Sequence, residues 1–454
     1  MASAAEQLAQ NINFGAFSKA TELKQRIWFT LGALIVFRLC TFVPMPGIDP
    51  LALKTLFDRS SGGILGMVNL FSGGGLERMS IVALNIMPYI TASIVVQLLT
   101  SISPTLGALK KEGESGRKKL NQFTRIGTVF LTVVQAYSIA RGLENWGASD
   151  GVSAVIQPGL FFQFTTVITL LGGTLFLMWL GEQITSRGIG NGISLIIMAG
   201  IVAALPGALT QMFELGRQGA ISGFTIIAIL VGVLAVIAGI VFMERAQRRV
   251  LIQYPKRQVG NRMSQGDSSH LPLKLNTAGV IPPIFASSIL LMPLTIAQFA
   301  GSSGPEWLGS AISMLGHGQP LYMALYGAGI IFFCFLYTGI VFDPVETADN
   351  LKRYGGFIPG IRPGQKTAEY LEYVLDRITL IGALYLAAIC LVPEWIIASL
   401  GVGFLFGGTS LLIVVNVTMD TVAQIQGHLL AHQYEGLLKR SRLRGGPAGG
   451  GGRR

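Results

Sequence analysis

Apolar residues along this chain come in long blocks rather than in alternating stripes. An α-helix needs about 20 residues to cross roughly 30 Å of hydrocarbon. Runs of that length lie at 24–43, 80–101, 122–141, 161–181, 192–210, 222–243, 276–297, 321–342, 373–392 and 402–421. The alternation of polar and apolar positions over about 10 residues that marks a transmembrane barrel strand is absent. The pattern predicts an all-α polytopic membrane protein with ten transmembrane helices. Composition agrees: 51% of the 454 residues are hydrophobic, 13% are charged and the mean hydropathy is +0.56, which excludes a water-soluble globule. Residues 1–23 show neither a long apolar core nor a small-residue cleavage pattern, so the first span is expected to stay in place.

Charge sets the expected orientation. With both termini on the cytoplasmic side, the segments on that side hold 28 of the 34 Lys and Arg residues. The opposite side holds only Lys54, Arg59, Arg78, Arg141 and Arg217. This positive-inside bias accounts for the net charge of +11 as topology plus a docking surface, rather than as a nucleic-acid-binding domain.

The organisation read from these blocks is a cytoplasmic segment 1–23, an N-terminal half 24–210, a C-terminal half 211–421 and a cytoplasmic tail 422–454. Cytoplasmic loops 244–275 and 343–372 exceed the length of plain connectors; the first is basic and the second mixes both charge signs, so they suit a cytoplasmic partner as well as anionic lipid headgroups. "PYITASI" at 88–94 and "PIFASSI" at 283–289 share a Pro, a Ser and an Ile at the same offsets. Each lies in the second span of a five-span half. Two pseudosymmetric halves with these helices facing one another would form a clamshell with a central pore.

Candidate chemistry is sparse. No Asp, Glu, Lys or His occupies the middle of a predicted span, which argues against an ion-coupled transporter. Arg38 lies about one turn from the end of span 1, where it can snorkel to the outer interface. His428 and His432 have metal-pair spacing but no evident third ligand, and "GEQITSRGIGNG" lacks the Gly-Lys-Ser/Thr ending of a phosphate loop. Cys40, Cys334 and Cys390 suggest neither a disulfide framework nor a metal site. No catalytic constellation is present, so neither an enzyme nor a cofactor is expected. The small-residue-rich spans carry Ile86, Ile90, Ile193, Ile197, Ile284 and Ile413. Such residues pack into lipid or core, or they close a hydrophobic constriction that gates by dewetting. Residues 62–79, "GGILGMVNLFSGGGLERM", are too short and too interrupted to span. Their glycines and the Glu77/Arg78 pair fit either an external loop or a movable element lining a watery cavity.

Several long motifs carry a resemblance: "FVPMPGID", "FSGGGLERMSIVALNIMPYI", "KKEGESGRKK", "GEQITSRGIGNGIS", "SSHLPLK", "GVIPPIFASSI", "FIPGIRPG" and "FGGTSLLIVVNVTMD". Through nearly its whole length the sequence resembles the SecY family of protein-conducting channels, in its bacterial form. The resemblance implies a passive gated conduit in the bacterial cytoplasmic membrane for unfolded secretory polypeptides, which also releases membrane segments sideways into lipid. It implies a pore ring of Ile86, Ile90, Ile193, Ile197, Ile284 and Ile413. Residues 62–79 would be a plug, including Leu65, Met67, Leu70, Phe71, Gly73, Gly74 and Gly75. Spans 2, 3, 7 and 8 would border a lateral gate bearing Thr91, Ser93, Ser288 and Met292. Arg257, Arg262 and Arg362 would face a docked motor or ribosome, although Asn261 stands where a paired arginine is usual. The implied partners are SecE, SecG, the SecA motor, the ribosome, precursor polypeptides, SecDF, YidC and anionic lipids. A small-solute transporter and a structural scaffold are the rival readings. The uncharged spans and large basic loops disfavour the first, and the plug-like stretch disfavours the second.

Overall fold

The computed structural model describes residues 21–60, 69, 72–145, 153–219, 222–254, 258–259, 262–263, 268–300, 319–400 and 407–444. Each of the ten apolar runs contains a long helix. In chain order these are α1 (Thr21–Cys40), α3 (Met87–Ile102), α5 (Glu114–Asn145), α6 (Leu160–Arg187), α7 (Gly192–Arg217), α8 (Gly223–Arg245), α9 (Ile281–Ala300), α10 (Pro320–Val341), α12 (Gln365–Leu400) and α13 (Gly408–Arg444). Shorter helices α2 (Pro50–Ser60), α4 (Pro104–Lys111) and α11 (Pro344–Arg353) lie between them. Among the described residues, seven helices are long and apolar enough on their own to cross a membrane, and α3 makes an eighth if joined to α4, which bends from it by 106°.

Sequence chemistry sets the helix starts. Asn191 caps α7 by accepting from the Ile193 and Ser194 amides, and Ser222 caps α8 through the Thr225 amide. Proline occupies the first turn of α3, α10 and α11, where its missing N–H costs no helical bond. The expected span from 80 is a helix only from Met87. Residues 80–86 are turns, preceded by a left-handed Met79 at φ 42° and including Asn85 at φ 48°. Irregular backbone is tolerated there because protein surrounds it. Ser80, Val82, Ala83, Asn85 and Ile86 are all buried, and the chain after α1 supplies bonds: Met45 N to Met79 O at 2.9 Å and Ile81 N to Val43 O at 3.0 Å. Span 9 also differs from expectation. Pro393 looks like a stop, yet α12 runs through it to Leu400 and carries the buried Glu394, two residues beyond the expected end. Where α5 meets α6, Arg125 donates to both carboxylate oxygens of Glu182 at 3.1 and 2.6 Å.

The order of neighbours repeats between the halves. α3 packs on α5, α5 on α6 and α6 on α7, just as α9 packs on α10, α10 on α12 and α12 on α13. The halves meet along two seams. At one, α7 contacts α8, the next helix in sequence, and α13; at the other, α9 lies against α3 and α5 with no chain connection between them. One core cluster runs through both halves, including Phe37, Leu177, Ile197, Phe333 and Ile413.

Loop 244–275 folds further than a basic loop was expected to. Strands β1 (Gln247–Gln253) and β4 (Ser268–Lys274) pair antiparallel, from Gln247 opposite Lys274 to Gln253 opposite Ser268, and enclose the short pair β2 (Gln258–Val259) and β3 (Arg262–Met263). Val250, Ile252 and Leu273 are buried on alternate positions, and Val250 and Leu273 pack with Ile358, Leu371, Val374 and Ile378. Reciprocal bonds between Gln253 and Phe357, 2.9 and 3.0 Å, join the two long loops into one platform.

Helix association inside a bilayer depends on close packing, because lipid is as apolar as leucine. At Gly173 of α6 an added Cβ would collide with the Ile81 carbonyl oxygen, whereas at the adjacent Gly172 it would meet nothing within 4 Å. Gly173→Leu is expected to destabilise the protein by about 1–3 kcal/mol or more through overpacking. Heating detergent-purified variants and following aggregation by size exclusion should show a lowered midpoint for Gly173→Leu and little change for Gly172→Leu.

Candidate functional site

Three helix starts converge on one small cavity. Ile86 immediately precedes α3 and accepts from the Ile90 amide at 3.0 Å, so the two side chains lie one turn apart on one face. Ile197 sits in the second turn of α7, held in register by the Asn191 cap. Ile284 lies in the first turn of α9, its amide 3.4 Å from the Val280 carbonyl. These four isoleucines, with Asn85, Met87, Ser287 and Ser288, line a cavity of about 10 Å³. That is room for about one water. Ile86, Ile90 and Ile197 are buried and Ile284 is half-buried.

Four of the six expected ring residues therefore share one lining. Ile193 is half-buried and turns toward α6, where its Cγ1 lies 3.1 Å from a Cβ placed on Gly181. Ile413 is fully buried in the main core rather than on the cavity wall. Of the expected gate residues, Ser288 lines the cavity, and its hydroxyl has no hydrogen-bond partner among the described residues. Thr91 is buried and donates to the Met87 carbonyl at 3.1 Å, while Ser93 accepts from Gln97 Nε2 at 3.1 Å. Met292 lies on α9. Among the additional lining residues, only Asn85 had a signal in its sequence context: asparagine tolerates left-handed backbone, and Pro88 starts a helix just after it.

Of the expected plug, Leu65, Met67, Leu70 and Phe71 lie outside the described residues. The glycine triplet is described and forms a knot rather than a loose tether. Asn69 Oδ1 accepts from the Glu77 amide at 2.9 Å and its Nδ2 donates to Glu77 Oε2 at 3.3 Å. The Asn69 carbonyl accepts from the Gly74 amide at 3.0 Å and from Ser72 Oγ at 2.9 Å, and Ser72 Oγ accepts from the Leu76 amide at 3.1 Å. Gly73 has φ +66°, and a Cβ there would stand 2.9 Å from Gly200 Cα on α7. This position needs glycine for both its conformation and its close approach.

Arg38 departs from its expected role as a snorkelling side chain. Its Nη1 donates to the Gly73 carbonyl at 2.5 Å, and its guanidinium lies 5.0 Å from the Phe42 ring centroid, which Arg78 also approaches at 4.2 Å. The cation thus fastens the glycine turn to α1. Of the expected docking arginines, Arg257 lies outside the described residues and Arg262 is in β3. Arg362 is exposed in a turn bounded by left-handed Gly360 and Gly364, with its carbonyl accepting from Thr367 Oγ1 at 3.0 Å.

A family model described as SecY matches residues 80–422. The protein translocase subunit SecY of Escherichia coli strain K12 is 55% identical over 425 residues, covering 93% of this chain and 96% of that protein. The chain belongs to the SecY family. That family consists of membrane translocase subunits rather than enzymes. Its fold is also that of solved channels at 18% identity. One structure, reported as showing that the plug domain of the SecY protein stabilises the closed state and maintains a membrane seal, aligns at a TM-score of 0.65 over 89% of this chain and 92% of that chain. Sec61 in the canine ribosome–channel complex from the endoplasmic reticulum aligns at 0.62 with the same coverage. In this SecY-family chain the short Arg38 contact is charge-assisted, a class worth about 1.5–3 kcal/mol. Arg38→Met should therefore speed amide hydrogen exchange across residues 72–80 by about tenfold or more. Arg38→Lys should show a smaller change, and an unaltered exchange pattern in Arg38→Met would contradict the fastening role.

Proposed function

We infer that this chain is the channel-forming subunit of a bacterial protein translocase, a passive conduit through which unfolded polypeptides cross a membrane. The observation that carries this reading is the cavity lined by Ile86, Ile90, Ile197 and Ile284 where the two halves meet. Branched aliphatic side chains can part around an extended chain and close behind it without recognising its sequence. When closed, a space of about one water between apolar walls disfavours a continuous wetted path for ions. Ile193 and Ile413 would complete the ring once the helices shift. Residues 62–79 would seal the outer side as a plug, held by Arg38 through Gly73. The seam of α3 and α5 against α9 would open as the lateral gate, with Thr91, Ser93, Ser288 and Met292 along it.

The cytoplasmic membrane is the proposed location, with both termini cytoplasmic, on the strength of the Lys/Arg asymmetry. The joined loops would then face the cytoplasm and offer Arg257, Arg262 and Arg362 to the SecA motor or the ribosome. SecE and SecG would complete the complex, SecDF and YidC would act beside it, and anionic lipids would meet the basic surface. Energy would come from the motor or from polypeptide synthesis.

Single-channel recording in planar bilayers tests the constriction. The Ile86→Asn/Ile90→Asn pair should wet the cavity and raise resting ion conductance, and deletion of 62–74 should raise it while sparing assembly. Parental conductance in the isoleucine variant would remove the constriction, and parental conductance in the deletion would remove the plug.

A further inference from the structure

The two seams between the halves are held differently. On the α7/α13 seam, the Gly190 amide donates to Gln424 Oε1 at 2.8 Å and Thr418 Oγ1 lies 3.6 Å from Met198 Sδ. On the other seam, which has no chain connection, Lys110 Nζ on α4 donates to the Ile340 carbonyl at the end of α10, at 2.9 Å.

Both partners are prepared by their sequences. Within α10 the Ile340 carbonyl would accept from the residue four positions on, but that residue is Pro344, which has no N–H. The helix end therefore presents an acceptor that its own backbone cannot fill, at a terminus where a cation is favoured. On the other side, α4 is an eight-residue helix turned 106° from α3, and its start is fixed by Pro104 and by the Ser103–Thr105 hydroxyl contact at 2.8 Å. It lies on the first turn of α5, where a Cβ on Gly116 would collide with the Leu109 carbonyl oxygen. This short helix has a fixed seat and delivers an ammonium across the seam. The contact is exposed, which makes it easily exchanged for water.

The acceptor is also linked to the docking platform. Pro344 begins α11, and the chain continues from α11 to the exposed turn of Arg362. We propose that Lys110 is a positioning residue, a clasp across the openable seam, and that a partner docking on residues 343–372 releases it by shifting the end of α10. The inference rests on reading that seam as the gate. It assigns Lys110 a bias on the closed state and makes the platform the place where that bias is removed.

The test uses the assembled complex in lipid nanodiscs with spin labels at the exposed positions Ser101 and Val345, and electron–electron distances recorded with and without ribosomes bearing an arrested nascent chain. The parent should be closed at rest and shift to longer distances with ribosomes. Lys110→Met, which keeps the alkyl stem, should raise the resting open population about two- to fivefold, the range expected for a cation at a helix C-terminus. Lys110→Arg should restore the parental distribution. If the parent opens with ribosomes but Lys110→Met matches it at rest, the clasp is wrong while the gate stands. If ribosomes leave the parental distances unchanged, the gate reading fails and the clasp fails with it.

Discussion

A bilayer supplies no hydrogen bonds to a polypeptide backbone, and the rest of this structure depends on how that demand is met. Over most of the chain the answer is helix. An exception among the described residues is the stretch from Ser72 to Ile86, which is irregular and is enclosed by protein. Its backbone groups are taken by Val43, Met45, Asn69 and Arg38, and its side chains bury against α6 and α7. Enclosing this segment fixes where α3 begins, and so where Ile86 and Ile90 project. The placing of the isoleucine-lined cavity is in that sense a by-product of satisfying a non-helical backbone at depth.

The same demand explains the unequal seams. A bundle must pack closely to be stable in lipid, yet a conduit must part somewhere. Close glycine approaches occur within a half, such as Gly181 against Gly192, and on the α7 seam, where a Cβ on Gly216 would stand 2.5 Å from Ile226 Cδ1 of α8. At the α9 seam the cavity wall contains Ser287, Ser288 and Asn85, which are small or polar groups that gain less from tight contact than isoleucine would. The seam proposed as the gate thus carries small and polar groups beside its isoleucines.

Much of this was legible in the sequence, for particular reasons. Each apolar block contains a helix, because a long apolar run in a membrane must satisfy its backbone hydrogen bonds internally. Boundaries failed where proline or irregular backbone intervened: the expected span ends at 392 but α12 continues through Pro393, and 80–86 reads as span but is held in irregular backbone by contacts distant in sequence. The β1/β4 hairpin was missed because its alternating buried positions, Val250, Ile252 and Leu273, are scattered among arginines and glutamines. Of the six isoleucines that the family resemblance implies for a ring, Ile86, Ile90, Ile197 and Ile284 line one cavity, and no periodicity could have separated them from ordinary core isoleucines. Arg38 was legible as an interfacial cation, but not as the partner of a carbonyl 35 residues away.

The most direct test of the central claim is site-specific photo-crosslinking from Ile90 and Ile284, contributed to the lining by the N- and C-terminal halves, to a radiolabelled secretory chain arrested in transit through the membrane-embedded complex. The account predicts adducts from both positions, dependent on arrest and absent when the chain is released. Efficient targeting of the precursor without adducts from either position would contradict it.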